Sequence, residues 1–476
     1  MHALRNGALA GVLLFVSPAR NAAQNNWVGM WAAAPQAAFR RPVQTFHNQT
    51  LRLIVRTSVG GKKVRIKISN LFGDHPLLIG SAHIARRTSE VEIDSASDRT
   101  LKFHGRASTT IPPQAMVVSD PVDLGVPALS DLAISLFFPE AAAVTTSHIL
   151  AKQTNYVSAE TGDATAQVKF PVARTITAWP FLTGVDVATS SHGASIVALG
   201  SSLTDGDGST KDANRRWPDV LAERLQKAGG EDAELGVLNE GIIGNRLLSD
   251  TQSPRQAGGP PPLGAVFEEL GPALGQSGIA RFDRDVLAQA GVKYVILALG
   301  VNDMLFPGAF IPQTETVTAK DLITGNRQLI ASAHKKAIRI IGTTIPPFEH
   351  ALFREPFFDR LYSPENEKIR QEVNAWIRNS GEFDGVIDFD EAVRDPDHPT
   401  QILLAYDSGD HLHVNNAGNI AQGNAIPLFL FTGDRRPIKF RVKSIWSAVY
   451  REPSQGRPCG AFLGTCRFKF VELRRA

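Results

Sequence analysis

The stretch SIVALGSSLTDG, Ser195 to Gly206, decides how this chain is read. Ile196, Val197, Ala198 and Leu199 form an unbroken apolar run of strand length, the pattern of a strand buried on both faces inside a parallel sheet. Gly200 turns the chain. Ser201, Ser202, Leu203, Thr204, Asp205 and Gly206 follow, so hydroxyls and pliant backbone stand at the carboxyl end of a buried strand, where open α/β sheets bind their ligands. A serine there serves as a nucleophile only if a base, an acid to orient it and oxyanion donors arrive from elsewhere in the chain.

Downstream of this stretch the rhythm is strand, helix, strand. Arg216 to Ala228 carries Trp217, Val220, Leu221 and Leu225 on one helical stripe. Gly236 to Asn239 reads as a second strand, Arg281 to Ala290 as a helix and Tyr294 to Leu299 as a third strand. Ala319 to Ala337 reads as a helix and Ile338 to Ile345 as a fourth strand, stopped by Pro346-Pro347. Ser363 caps a helix that has Pro364 at its first position and ends at Gly381. Val386 to Phe389 is the fifth strand and Asn416 to Leu430 the closing helix. Such alternation predicts parallel strands joined by helical crossovers, hence a three-layer α/β/α domain, placed here at residues 189–433.

Upstream, from Trp27 to about Asp186, the pattern is β, and residues 24–188 are expected to form an all-β, sandwich-like domain. Val64, Ile66 and Ile68 alternate with polar residues, as do Leu132, Ile134, Leu136 and Phe138, which predicts strands with one wet face. Leu51 to Val59, Gly60-Gly61 and Lys62 to Ser69 read as a hairpin with a two-residue turn. Trp27, Trp31 and Phe39 are candidates for stacking on a sugar ring, although aromatic residues near a domain start more often serve core or interface.

With 476 residues, 43% hydrophobic and 20% charged, the chain has ample material for a large core. The formal charge of +3 is misleading as a sign of nucleic-acid binding. Asp434 to Ala476 alone holds 11 Lys and Arg against 3 Asp and Glu, leaving 39 basic and 44 acidic residues in the rest. The body is mildly acidic and lacks a basic footprint. Both cysteines, Cys459 and Cys466, lie in this basic extension of residues 434–476, where they are free to pair outside the cytoplasm. Arg5, the apolar run Ala8 to Val16 and the small residues Ser17, Ala19, Ala22 and Ala23 read as a secretory signal over residues 1–23, so a secreted or periplasmic protein is expected. No run reaches membrane-spanning length.

Three later segments are candidates to complete a site around the serines. Asn239-Glu240-Gly241-Ile242-Ile243-Gly244-Asn245-Arg246 follows the second strand, and its glycines let main-chain N–H groups approach a ligand. Gly300-Val301-Asn302-Asp303 places a carboxamide after the third strand. Ser408-Gly409-Asp410-His411-Leu412-His413 precedes the last helix, with an acid three residues before a histidine. No zinc-type spacing of His and Cys occurs. Asp205-Gly206-Asp207-Gly208 fails as a calcium loop because Thr210 stands where glycine is required.

These four blocks, in this order, resemble the SGNH (GDSL) hydrolase superfamily of serine esterases and acylhydrolases. WAAAP at Trp31 to Pro35, RWPDVLAERL and RFDRDVL are further similar to a bacterial secreted subgroup with an N-terminal β domain. The resemblance implies a flavodoxin-like fold, Ser202 as nucleophile and His413 as base oriented by Asp410. It also implies an oxyanion hole from the Ser202 and Gly244 amides and the Asn302 side chain, with no cofactor. Two residues depart from the family pattern: Ser201 stands where an Asp normally helps hold the nucleophile loop, and Val414 replaces the proline common after the histidine, a change expected to loosen that loop. The expected reaction is cleavage of O-acetyl or short-acyl groups from a carbohydrate or small ester. A lysophospholipase or lipase activity is the alternative, and a non-catalytic glycan- or lipid-binding protein is the alternative from another class. His411 is expected to pack or be solvated, and His75, His148, His334 and His398 to be structural.

Overall fold

The computed structural model describes residues 26–38, 43–160, 162–251, 271–351 and 361–431. The secretory-signal reading, Phe39 and the basic extension with Cys459 and Cys466 lie outside these residues. In the N-terminal part the main strands are β1 (Asn26–Ala32), β2 (Gln49–Arg56), β3 (Gly61–Ser69), β4 (Ser81–Ser89), β5 (Asp131–Phe138) and β6 (Leu182–Thr189). They form two antiparallel sheets. One runs β1-β6-β3 and then Met116–Val118, with Val122–Val126 also on β3; the other centres on β2-β5-β4, with Asn155–Ser158 on the far side of β2. Val28, Met30, Leu53, Val55, Val64, Ile66, Leu132 and Ile134 share the core between them, the sandwich the alternation predicts.

Two local expectations fail here. β2 and β3 are not a hairpin: β2 pairs with β5 and Asn155–Ser158, whereas β3 pairs with β6, Met116–Val118 and Val122–Val126. Leu51, Leu53 and Val55 of β2 and Val64, Ile66 and Ile68 of β3 face one core, so the chain crosses at Gly60 from sheet to sheet. A side chain at Gly60 would meet the Val126 carbonyl at 2.9 Å. Nor does β5 have a wet face. Ala133 lies in a second cluster with Ile54, Ala85, Tyr156, Ala164 and Phe170, because the chain after Asn155–Ser158 folds over the outer side of the sheet.

Arg52 is the polar centre of that cover. Fully buried, it donates to Ser135 Oγ at 3.1 Å and to the carbonyls of Val91 (2.8 Å), Thr165 (3.2 Å) and Gln167 (2.8 Å), and lies 4.6 Å over the Phe170 ring. Burial lowers its pKa to about 10, so it stays cationic at neutral pH. Arg52→Ala strands these carbonyls, at about 1–3 kcal/mol for each left unsatisfied. We expect a loss of at least about 3 kcal/mol, read from the urea midpoint; an unmoved midpoint would show that the cover holds without the guanidinium.

The C-terminal part is built on β7 (Ala194–Gly200), β8 (Leu235–Gly241), β9 (Val292–Ala298), β10 (Arg339–Thr343) and β11 (Gly385–Ile387). All pairings are parallel, in the order β8-β7-β9-β10-β11. This is the flavodoxin-like order 2-1-3-4-5, whose switch point lies between the first and third strands, at the end of β7. The helices are α1 (Ser202–Asp205), α2 (Trp217–Ala228), α3 (Gly278–Phe282), α4 (Val301–Leu305), α5 (Ala319–Lys335), α6 (Pro364–Asn379), α7 (Phe389–Val393) and α8 (Asn416–Ala425). Val197, Leu199, Val295 and Leu297 face α3, α5 and α6; Ile196, Ala198, Ile296 and Ile341 face α2 and the segment ending at Phe431. The burial of β7 on both faces explains its continuous apolar run.

Element limits shift: the helix expected to reach Ala337 ends at Lys335, and Phe389, expected in the fifth strand, opens α7. The helix expected over Arg281 to Ala290 begins at Gly278, capped by Ser277, and closes in a wide turn over Asp283–Leu287. The closing helix stops at Ala425, ahead of Pro427, rather than at Leu430. None of the helices among the described residues is long and apolar enough to cross a membrane.

The edge strand β8 is covered by the β module. A side chain at Gly236 would lie 2.0 Å from the Gly29 carbonyl, so a glycine is what lets β1 and β8 pack backbone to backbone. Ser58 Oγ donates to Met30 O at 2.7 Å and accepts from Val237 N at 2.9 Å, and Ala33 bridges to Asn239. The two parts are one compact unit.

Candidate active site

Ser202 opens the single turn α1 directly after β7, and its side chain is 4% exposed. Two glycines make room for that turn: a side chain at Gly200 would collide with Thr204 Oγ1 at 2.0 Å, and one at Gly241 with the Asp205 amide at 2.3 Å. From the far end of the domain, His413 brings Nε2 to 2.8 Å from Ser202 Oγ. Its Nδ1 lies 2.7 Å from Asp410 Oδ2. The other Asp410 oxygen accepts from the Leu412 amide (3.0 Å), the His413 amide (2.8 Å) and Ser408 Oγ (3.1 Å), which locks the carboxylate in one orientation.

Electrostatics follow from this packing. Burial disfavours the His413 imidazolium and is the largest single effect, yet the hydrogen bond and charge of Asp410, with Asp207 adding, hold its pKa above the ordinary histidine value. Burial opposes ionisation of Asp410 too, but the contact with His413 and the two backbone amides keep it well below the usual carboxylate range. Asp207 Oδ2 sits 3.9 Å from His413 Nε2, with its other oxygen 3.1 Å from Lys152 Nζ.

Gly244 lies in the turn after β8 with φ +72°, and a side chain there would also meet Leu274 at 2.8 Å, so only glycine fits. Neither the Gly244 amide nor the Ser202 amide has a protein acceptor among the described residues. Asn302 Nδ2 donates to the Asn245 carbonyl at 2.9 Å, leaving its second N–H. Ser202, Gly244 and Asn302 are tied through adjacent residues: Ile242 N donates to Gly200 O at 3.1 Å, Ile243 N to Asp205 Oδ2 at 3.0 Å, and Asn302 holds Asn245. The five residues singled out from the sequence thus converge on one end of the sheet around its switch point.

Several supporting residues were not singled out. Arg281, wholly buried, donates to the carbonyls that end β7 (Gly200, 3.0 Å) and β8 (Glu240, 2.8 Å) and to Asn245 Oδ1 (3.0 Å). Asp303 receives the Leu247 and Leu248 amides at 2.7 and 2.9 Å, and burial pushes its pKa up to about 6 despite them. Asp407 accepts from the Gly409 and His411 amides and so shapes the loop that presents His413. Arg281 and Asp285 stand in the RFDRDVL stretch and Asp303 in the block that carries Asn302; for Asp407 the sequence carries no signal beyond adjacency to the block that holds His413.

The two departures resolve differently. Ser201 is fully buried, and its hydroxyl has no partner among the described residues, so that hydroxyl does not hold the loop, although the Ser201 carbonyl accepts from the Thr204 and Asp205 amides. Val414 is 1% exposed, packs with Val393 and Ile402, and bridges to Asp407. His411 is partly exposed beside Asp407. Trp31 lies in the core edge-on to Trp179, and the Arg65 guanidinium lies over one side of the half-buried Trp27 ring at 4.3 Å.

The sequence model of the GDSL-like lipase/acylhydrolase family matches residues 196–426. Solved structures similar to this chain include the native aryl esterase of M. smegmatis, at 20% identity over 49% of this chain and 96% of that one, with a TM-score of 0.35. A carbohydrate acetylesterase, Est24, from Sinorhizobium meliloti matches at 17% identity over 49% and 95% of the two chains, with a TM-score of 0.34. A lipolytic protein of the G-D-S-L family from Desulfitobacterium hafniense matches at 18% identity over 49% and 97%, with a TM-score of 0.32. No curated protein matches this chain.

Proposed function

We propose that this chain is a carboxylic ester hydrolase: within residues 196–426, which match the GDSL-like lipase/acylhydrolase family model, Ser202, His413 and Asp410 cleave O-acetyl or short-acyl esters of a carbohydrate or small molecule through an acyl-enzyme. The observation that carries this reading is the unbroken relay from Ser202 Oγ to His413 Nε2 at 2.8 Å and from His413 Nδ1 to Asp410 at 2.7 Å. With the Nδ1 proton donated to Asp410, Nε2 is free to accept the serine proton. Ser202 Oγ then bonds to the ester carbon while its proton passes to Nε2. The C–O bond to the alcohol breaks, and the alcohol leaves with that proton. Water adds to the acyl carbon, giving a proton to Nε2, which returns it to Ser202 Oγ as the acid departs.

The charge that develops on the carbonyl oxygen falls to the unpaired Ser202 and Gly244 amides and to the second N–H of Asn302. Asn302→Ala should cost about 10²–10³ in kcat without unfolding the chain; a variant with wild-type kcat would remove Asn302 from this role. The short-acyl, carbohydrate part of the proposal rests on the attached β module and on the apolar run Ala8 to Val16, which also motivates a place outside the cytoplasm.

The test is a panel of p-nitrophenyl esters of rising chain length, acetylated xylan or pectin, and lysophospholipid, each with and without a serine-directed fluorophosphonate. We expect fastest release from acetyl esters and loss of all turnover with the inhibitor. Preference for lysophospholipid would replace the substrate assignment. Turnover that survives fluorophosphonate would remove the serine mechanism.

A further inference from the structure

The β module reaches into the site through one buried contact that the reaction sequence above does not use. His148, in the short strand Thr146–His148, is 3% exposed, and Asp205, the last residue of α1, is 1% exposed. His148 Nε2 lies 2.9 Å from Asp205 Oδ1, and His148 Nδ1 lies 3.0 Å from the Ala34 carbonyl. The second Asp205 oxygen accepts the Ile243 amide at 3.0 Å. Ile243 immediately precedes Gly244. A single carboxylate therefore joins three things: the turn that begins with Ser202, the loop that carries Gly244, and a histidine from the other half of the chain.

We propose that His148 is a positioning residue for ester cleavage: anchored on Ala34, it fixes the Asp205 carboxylate, which in turn sets the distance between the Ser202 turn and the Gly244 amide. This rests on the reading of Ser202 as nucleophile and Gly244 as oxyanion donor. The chemistry of the contact supports it. A carbonyl and a carboxylate oxygen both accept, so the ring sits between two acceptors and links them. A buried contact of this kind is directional and short, and has no solvent to replace it. It also places a fixed carboxylate, Asp205, at the opposite end of the nucleophile turn from Ser201. The same stretch of the β module continues along the loop after α1: Lys152 pairs with Asp207 at 3.1 Å, and Asp212 receives Thr154 Oγ1 at 2.6 Å and Gln153 Nε2 at 2.8 Å. His148 is the member of this set that touches a residue bonded to the Gly244 loop.

Two near-isosteric variants separate the two arms of the imidazole. In His148→Gln the side-chain amide takes the place of Nε2 and keeps a donor toward Asp205. In His148→Asn it takes the place of Nδ1, keeping the Ala34 arm and losing Asp205. With p-nitrophenyl acetate, His148→Asn should lower kcat about 10–100-fold with KM within about 2-fold, because a misplaced oxyanion donor weakens the transition state and not the ground state. His148→Gln should stay within about 3-fold of wild type. Equal kcat in both variants, whether high or low, or a larger loss in His148→Gln, would overturn the proposal. A loss that tracks the melting temperature in both would assign His148 a purely structural role and overturn it too. Ser202→Ala in the same assay keeps the two readings apart: if it cleaves the ester as wild type does, the Ser202 reading has failed, whatever His148 does.

Discussion

Ser202→Ala should reduce kcat for p-nitrophenyl acetate by a factor on the order of 10⁶, since removing the nucleophile of such a relay costs about as much as removing all of it. The fold should be untouched. The turn that carries Ser202 is held by main-chain bonds, Asp205 N to Ser201 O at 2.9 Å and Gly206 N to Ser202 O at 2.8 Å, and the hydroxyl takes part in neither. Ser201→Ala is the internal control. Its hydroxyl is buried without a partner among the described residues, so its removal should leave a readily measurable rate. Circular dichroism would check the fold, and peptide mapping after fluorophosphonate labelling should find the adduct on Ser202. Equal loss in both variants, or an adduct on Ser201, would overturn the assignment.

Asp410→Asn should cost about 10⁴ in kcat and should also move the pH profile, which a loss of folding would not do. In the wild type Asp410 lifts the His413 pKa against burial, and activity requires the neutral ring. The acid limb of kcat/KM should therefore lie above the ordinary histidine value of about 6.5. Asparagine removes the charge and, with its oxygen still taking the Leu412 and His413 amides, turns an N–H toward Nδ1. Burial is then opposed only by Asp207, so the acid limb of the residual activity should move to lower pH. A limb that stays in place, or moves upward, would show that Asp410 does not govern the base.

The pairing of Asp205 with His148 changes how the absent acid at Ser201 is to be understood. What the nucleophile turn needs is a fixed carboxylate near its backbone, and the turn is only four residues long. An acid at its end, three residues past the serine, serves when a partner on the other side is available to hold it. Here that partner comes from the β module, which makes the module part of the machinery that shapes the site as well as a cover for the edge strand β8. The same contact gives the loop after β8 its footing through the Ile243 amide.

Where the residues themselves carry a period, the fold was legible before any coordinates. A strand buried on both faces has to be apolar throughout, and Ile196 to Leu199 is; an amphipathic helix must repeat near 3.6, and Trp217, Val220, Leu221 and Leu225 do. Pairing was not legible in the same way. The run through Gly60-Gly61 satisfies the local rule for a hairpin, yet β2 and β3 lie in opposite sheets because their apolar residues need the same core. The covering of β5 by the chain around Phe170 likewise depends on a segment some thirty residues away that has no period of its own.

The sequence alone determined the succession of buried strands and the parallel three-layer scaffold, since both are written in local spacing and composition, and its resemblance to a known family singled out the serine, acid and histidine blocks. Only the tertiary structure decided which groups meet: that His413 faces Ser202, that Arg281 ties the ends of β7 and β8, and that His148 reaches Asp205 across the two halves. Those contacts join residues 41 to 211 positions apart. Their physical cause is the closing of two apolar cores against each other, which no single stretch of chain contains.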